Sequence, residues 1–324
     1  MLARILTPAT LAVALLLGAP PVAAREIRAA DMQPEGFPSV VSLQNLGRKL
    51  AAATQGRLTL RMFPGAVLGD ERDMIGQTQA GGIDLLRVSL GSVGTVVPEV
   101  NVFNLPFVFR DEAHMRKVID GPIGTELLAR ISNSPAGLVA LGWMDAGTRN
   151  LYTRLPVRQP ADLAGQKIRM IGNPVLLDTM NAMGASGVPM GFGELHGGLQ
   201  SGAVDGAENN VPTYVTQGHF TQARYYNLTG HLIVPEIFVY SKARWNALSA
   251  EEQALLRKLS REAQLEQRQL WDKRVAIDTA RMKAAGVHIV SDVDRRAFYK
   301  ATQRVRDRYG AGSAELLRRI EATR

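Results

Sequence analysis

The chain has 324 residues, with 38 basic against 30 acidic side chains for a formal charge of +8, no cysteine and 6% aromatic residues. Without cysteine there are no disulfides, thiolate metal sites, cysteine nucleophiles or cysteine-linked lipid anchors. The basic residues are scattered and not interleaved with aromatics, so no nucleic-acid partner is expected and the charge is a mild attraction for small anions.

Residues 1–24 read as a secretory signal peptide: Arg4 precedes an apolar centre at 11–17, and Val22-Ala23-Ala24 supplies small residues before Arg25. That centre is short for a membrane span, and no later stretch approaches the roughly 20 apolar residues one needs. An exported protein in the periplasm is expected. Its remaining ~300 residues suffice for two domains with their own cores.

Glu26-Ile27-Arg28-Ala29-Ala30 opens the mature chain as a strand. Pro38 starts a helix with Leu43, Leu46 and Leu50 on one face, ending at Gly56. Leu58-Thr59-Leu60-Arg61-Met62 alternates as a strand, Gly69-Asp70-Glu71 begins a second helix, and residues 83–88 form an apolar strand. This alternation is the mark of an α/β layer with a largely parallel sheet, in which ligands bind beyond the carboxyl ends of strands. Asp31 and Ser89 stand at such ends, and Glu71 at a helix start.

Asp111 caps a helix carrying Met115 and Val118, and residues 138–143 read as a strand. Alternation resumes with a strand at 168–171, a helix at 174–183, a strand at 187–190, a short helix at 193–199 and a strand at 203–207, a second domain of similar design. A strand at 235–240 returns to the first domain. Ser249-Ala250-Glu251-Glu252 is a capping box, and helical character runs from it to about residue 283 with Leu255, Leu259, Ala263 and Leu270 as a stripe. At 1.5 Å per residue that helix spans roughly 50 Å, enough to cross both domains. A strand at 287–290 and helices at 293–309 and 313–321 finish the chain.

The candidate site centres on Arg169, in Lys167-Ile168-Arg169-Met170, where alternation puts Ile168 and Met170 on one side and Lys167 and Arg169 on the other. Gly147-Thr148-Arg149-Asn150 lies upstream and Gly202-Ala203-Val204-Asp205-Gly206-Ala207-Glu208-Asn209-Asn210 downstream. Two arginines and an amide cluster suit capture of a small carboxylate, because a guanidinium fork matches its two oxygens. Ordinary salt-bridge arginines would show the same local pattern. Asp205 and Glu208 read as a loop holding its own turn in preference to an acid–base pair. Phe192, Tyr214 and Trp143 could stack on a sugar face or serve as packing. Glu236 could reach a cleft from the crossover or remain a solvated hinge charge.

Together with Gly56-Arg57-Leu58, Leu68-Gly69-Asp70-Glu71, Leu105-Pro106-Phe107 and Ala161-Asp162-Leu163-Ala164-Gly165, these strings resemble, over nearly the whole mature chain, the substrate-binding proteins of TRAP (tripartite ATP-independent periplasmic) transporters, of the dicarboxylate-binding DctP type. The resemblance implies a two-lobed α/β periplasmic binding protein with a ligand cleft between the lobes and a long helix spanning both. Lobe I is expected from residues 25–146 and 235–274, lobe II from 147–234 and 275–324. It implies a two-pronged contact from Arg169 to a ligand carboxylate, help from Arg149 and Asn209, and Asp31 or Met32, Glu71 and Ser89 facing the cleft from the first domain. A monomer is expected, delivering a small organic acid to membrane TRAP permease subunits. Tyr225-Tyr226-Asn227-Leu228-Thr229 with Glu208-Asn209-Asn210 looks like members that bind sugar acids such as uronates; a C4-dicarboxylate comes next, with Arg87 the nearest second cation. His196-Gly197-Gly198 departs from the usual tyrosine-and-alanine version.

An enzyme is the competing class. The five histidines have no metal-ligand spacing, there is no Gly-x-Ser-x-Gly elbow, and the Gly-x-Gly pairs lack a dinucleotide fingerprint. No enzyme, metal or cofactor is therefore expected; the alternatives are an exported ligand-sensing module for a signalling receptor, or a sugar-acid enzyme.

Overall fold

The computed structural model describes residues 24–324, and the expected signal peptide lies outside them apart from Ala24. In chain order the strands are β1 (Arg25–Ala30), β2 (Leu58–Phe63), β3 (Leu85–Ser89), β4 (Leu138–Met144), β5 (Thr148–Thr153) and β6 (Lys167–Met170). Then come β7 (Ser186–Pro189), β8 (Gly206–Asn209), β9 (Tyr225–Ile233), β10 (Glu236–Ser241) and β11 (His288–Val290). They form two sheets, one ordered β2-β1-β3-β10-β4 and the other β11-β9-β5-β8-β6-β7.

The chain passes between the sheets directly after β4 and after β9, and a third time in the long segment between β10 and β11. Each sheet is mixed: β10 runs antiparallel to β3 and β4, and β5 antiparallel to β8 and β9, while the other pairs are parallel. β5 and β10, the strands that arrive by the first two crossings, supply the antiparallel pairs, whereas β11, which follows β10 in the chain but lies in the second sheet, pairs parallel to β9. All seven residues of β4 are buried, since the Pro122–Asn133 helix and the long Ala250–Ala284 helix both pack on it.

That long helix has 35 residues and the expected Ser249–Glu252 capping box. It touches the Pro38–Ala53 helix and β4 on one side and the Val211–Thr216 helix on the other, so it contacts both lobes. Its buried stripe differs from expectation: Leu256, Leu259, Ala263, Trp271 and Met282 face inward, with Gln264 and Gln267 among them. The reason is polar. Gln267 accepts from the Asp145 N–H at 2.9 Å and donates to the Asp145 carbonyl at 2.8 Å, while Gln264 accepts from the Trp143 N–H at 3.2 Å. The helix is thereby keyed to the first crossing.

β5 and β9 are not among the strands that the sequence pattern marks. Their buried faces carry polar side chains that satisfy one another: Asn150 accepts from the Gly230 N–H at 2.8 Å, and Asn227 donates to Thr153 at 2.9 Å. The last helix, Ala314–Ala322, rests on the Pro122–Asn133 helix beside the first sheet, with an Arg319–Glu126 ion pair at 2.8 Å. The expected partition placed 275–324 with the second sheet.

Candidate functional site

A cleft of about 1070 Å³ is lined by residues from both sheets and the loops that leave them. Arg149, Arg169, Asn209 and Phe192 line it from the second sheet's side, and Glu71, Ser89 and Glu236 from the first.

Arg169, in β6, is only 4% exposed. Its Nε donates to the Met190 carbonyl at 2.9 Å, and its guanidinium carbon stands 5.7 Å from the Phe192 ring centre, a cation–π distance. These contacts hold the fork in place but supply no negative charge. Among the described residues no carboxylate forms an ion pair with it, and its two terminal nitrogens have no protein acceptor. Burial holds its pKa below the ordinary arginine value, although the group stays charged. The other two buried arginines are matched. Arg149 makes a two-point contact with Glu208, with Nη2 to Oε1 at 2.8 Å. Arg87 faces Glu236 at 3.2 Å and Asp31 at 3.4 Å. A buried cation without a counterion is costly, and an incoming anion removes that cost.

The surroundings of Arg169 are kept neutral. Burial works against the Arg149 charge, but Glu208 overrides it and lifts the pKa above the ordinary value. His231, 4.0 Å from Glu208, is pulled down to about 4 by burial. His219 donates to or accepts from the Tyr152 hydroxyl at 2.9 Å and is pulled down to about 3, by burial first and then by His196 and Arg169. Asn209 accepts from the Asn210 N–H at 2.9 Å, and its amide nitrogen has no acceptor among the described residues.

On the opposite wall both oxygens of Glu71 are engaged, one by the Ser89 N–H at 2.9 Å and the other by the Ser92 hydroxyl. The walls touch. Asn173 donates across to the Gly91 carbonyl at 2.8 Å and to Asn101 at 2.9 Å. A side chain at Gly91 would press on this contact, since a Cβ there would lie 2.9 Å from Leu176 Cδ1.

Residues 29–312 match the DctP model, bacterial extracellular solute-binding protein family 7. The chain belongs to this family. It is therefore a periplasmic solute-binding protein and not an enzyme. A DctP relative from Chromohalobacter salexigens, a solute-binding protein, is 35% identical over 290 residues, 89% of this chain and 86% of its own. The solved TRAP periplasmic solute-binding protein of Pseudomonas putida F1, with bound D-glucuronate, is 53% identical, with a TM-score of 0.91 over 92% of this chain and 97% of that one. A Citrobacter koseri TRAP protein matches twice. With bound D-glucuronate it is 48% identical with a TM-score of 0.91, covering 93% of this chain and 100% of that one. In its apo, open structure it is 47% identical and the TM-score falls to 0.81, covering 91% and 99%. The arrangement of the two sheets here is thus nearer to the ligand-bound form, in agreement with the bonds across the cleft.

Two of the candidate site residues, Asp31 and Tyr214, lie off the cleft lining. Asp31 is fully buried off the cleft wall, wrapped by the Gln33 N–H at 2.8 Å, the Ser39 hydroxyl at 2.5 Å and Arg87, because the turn after β1 folds back over it. Its neighbours Met32 and Gln33 line the cleft instead. Tyr214 is also fully buried: its hydroxyl donates to the Ala223 carbonyl at 2.7 Å and its ring packs 4.8 Å from Tyr152 and 5.0 Å from Tyr226. Thr213, one residue earlier, reaches the cleft. Of the pair read as a loop, Asp205 does accept from the Lys167 N–H at 2.8 Å, but Glu208 is the buried partner of Arg149. At the departing motif, a Cβ on Gly198 would come 2.9 Å from Met190 Sδ, so the small residue makes room for the segment that carries the Arg169 acceptor.

Proposed function

We propose that this DctP protein captures a uronate, D-glucuronate or D-galacturonate, in the periplasm and hands it to membrane TRAP permease subunits. The observation that carries the reading is Arg169: a buried guanidinium fork lining the cleft with no counterion among the described residues. The ligand carboxylate supplies that charge in a two-pronged contact, helped by Arg149 and by the free amide of Asn209. Relatives support the sugar-acid class: solved proteins 53% and 48% identical hold D-glucuronate, and one 40% identical holds galacturonate. Hydroxyls on the ligand then meet Ser89 and Glu236, while Glu71 keeps the Ser89 and Ser92 groups in place and Phe192 forms the wall beside the carboxylate. A C4-dicarboxylate is less well matched, since Arg87, the nearest second cation, is already occupied by Asp31 and Glu236.

The cycle involves no covalent chemistry. Lobe I comprises 25–146 and 235–274, and lobe II comprises 147–234 and the segment after 275 up to the last helix. They swing about the crossings at 145–147 and 234–236, with the long helix bending between them. Ligand docks on lobe II, lobe I closes, and water leaves, which strengthens the charge-assisted bonds and offsets desolvation of both ions. A thermal-shift screen of D-glucuronate, D-galacturonate, succinate and amino acids tests this. A ligand at about a hundred times its dissociation constant stabilises the fold by about 2.7 kcal/mol. Stabilisation by succinate with no response to either uronate would overturn the sugar-acid reading.

A further inference from the structure

We propose that Glu236 takes up a proton as the cleft closes, so that the chain binds its organic anion together with H⁺. The inference rests on the solute-binding reading above and adds a second, ionic ligand to the same cleft.

Glu236 is the first residue of β10, just after the second crossing, and it lines the cleft. The charged groups around it are Arg87 from β3, Glu71 from the Glu71–Gln79 helix, Arg149 from β5 and Asp31 from the turn after β1. Its partners on the two flanking strands, Ser89 and Met144, are uncharged. Arg149 is neutralised by Glu208. Glu236, Asp31 and Glu71 therefore all draw on Arg87, with Glu71 also in the field of Arg169.

Hydrogen bonding decides which of the three is worst served as an anion. Asp31 accepts from a backbone N–H, a serine hydroxyl and Arg87. Glu71 has both oxygens engaged. Glu236 has one oxygen on Arg87 at 3.2 Å, and its Oε2 is buried with no hydrogen-bond partner among the described residues. Out of water an anionic oxygen that meets only a ligand hydroxyl is costlier than a neutral carboxyl, which can donate to that hydroxyl, so the proton settles there. Burial, opposed by Arg87, accordingly pushes the Glu236 pKa up to about 7. When the lobes part, water reaches this wall and the group returns to ordinary glutamate behaviour.

The sign follows. Between the ordinary glutamate value and about 7 the closed form holds more protons than the open one, so affinity falls as pH rises through that window and levels off above it. His219 and His231, across the cleft, are neutral throughout its upper part.

Calorimetric titration of D-glucuronate in phosphate and in imidazole, whose ionisation enthalpies differ, reads the proton directly. Roughly one proton taken up per ligand is expected near pH 6 and little near pH 8, with affinity falling by close to tenfold per pH unit (about 1.4 kcal/mol) from the ordinary glutamate range up to about pH 6 and levelling off above about 7. Glu236→Gln is expected to abolish the uptake. Buffer-independent heats in the unaltered protein, or unchanged uptake in the variant, would overturn the proposal; the first result needs no variant to fold. If D-glucuronate gives no binding heat at any pH, the ligand reading fails separately. The same pair of buffers with D-galacturonate or succinate then decides the proton question, uptake supporting it and its absence refuting it.

Discussion

Replacing Arg169 with alanine separates ligand capture from folding. In the ligand-free protein the change removes one hydrogen bond, to the Met190 carbonyl, and the contact with Phe192, but breaks no ion pair. With the lobes apart the fork is hydrated, so its loss strands no buried charge, and the melting temperature without ligand is expected to change little. Binding is different. The ligand carboxylate enters a dry cleft and finds no fork, and truncating one partner of such a pair costs about 2–5 kcal/mol, or about 30-fold to several thousandfold in Kd. Arg169→Lys keeps the charge but not the planar fork, and is expected to lose most of the same affinity. Calorimetry with D-glucuronate, with circular dichroism to confirm folding, measures both. A folded Arg169→Ala protein with wild-type affinity would refute the reasoning.

Glu208→Ala strands Arg149 as an unpaired buried cation and is expected to cost about 3–5 kcal/mol in a denaturant melt; a loss below about 1 kcal/mol would show that the pair is not buried in solution. Tyr214→Phe removes a bond to the Ala223 carbonyl, so about 1 kcal/mol of stability is expected to go with Kd unchanged, and a large affinity loss would put this ring back on the cleft wall. Gln267→Ala leaves the Asp145 N–H and carbonyl unpartnered at the first crossing, at a cost of about 1–3 kcal/mol. Small-angle scattering of that variant is expected to show a larger open fraction without ligand; identical profiles would argue that the long helix does not restrain the hinge.

Arg169, Arg149 and Asn209 are legible through the resemblance to the family, since the local pattern alone, with Arg169 between Ile168 and Met170, fits an ordinary salt-bridge arginine as well. Arg87 is harder to place. All five residues of β3 are buried, so alternation carries no direction for its side chain. Glu208 is misread for a related reason: a single acid between Ala207 and Asn209 looks like turn chemistry until β5 supplies Arg149 beside it. Tyr214 and Thr213 are one residue apart on a six-residue helix, too short for periodicity to say which faces the cleft. The long helix is marked by its capping box, but its register is not, since Gln264 and Gln267 bury polar ends that hydropathy places outside. Asp31 stands at the strand end where ligands usually bind, and what removes it from the wall is the Ser39 hydroxyl and the local backbone closing over it.

The most direct test is a crystal structure with bound D-glucuronate. Both ligand carboxylate oxygens are expected within hydrogen-bonding distance, about 3 Å, of the two terminal nitrogens of Arg169, with the hydroxyls turned toward Ser89 and Glu236. A ligand whose carboxylate rests on other groups, with the Arg169 fork turned away from it, would contradict the account.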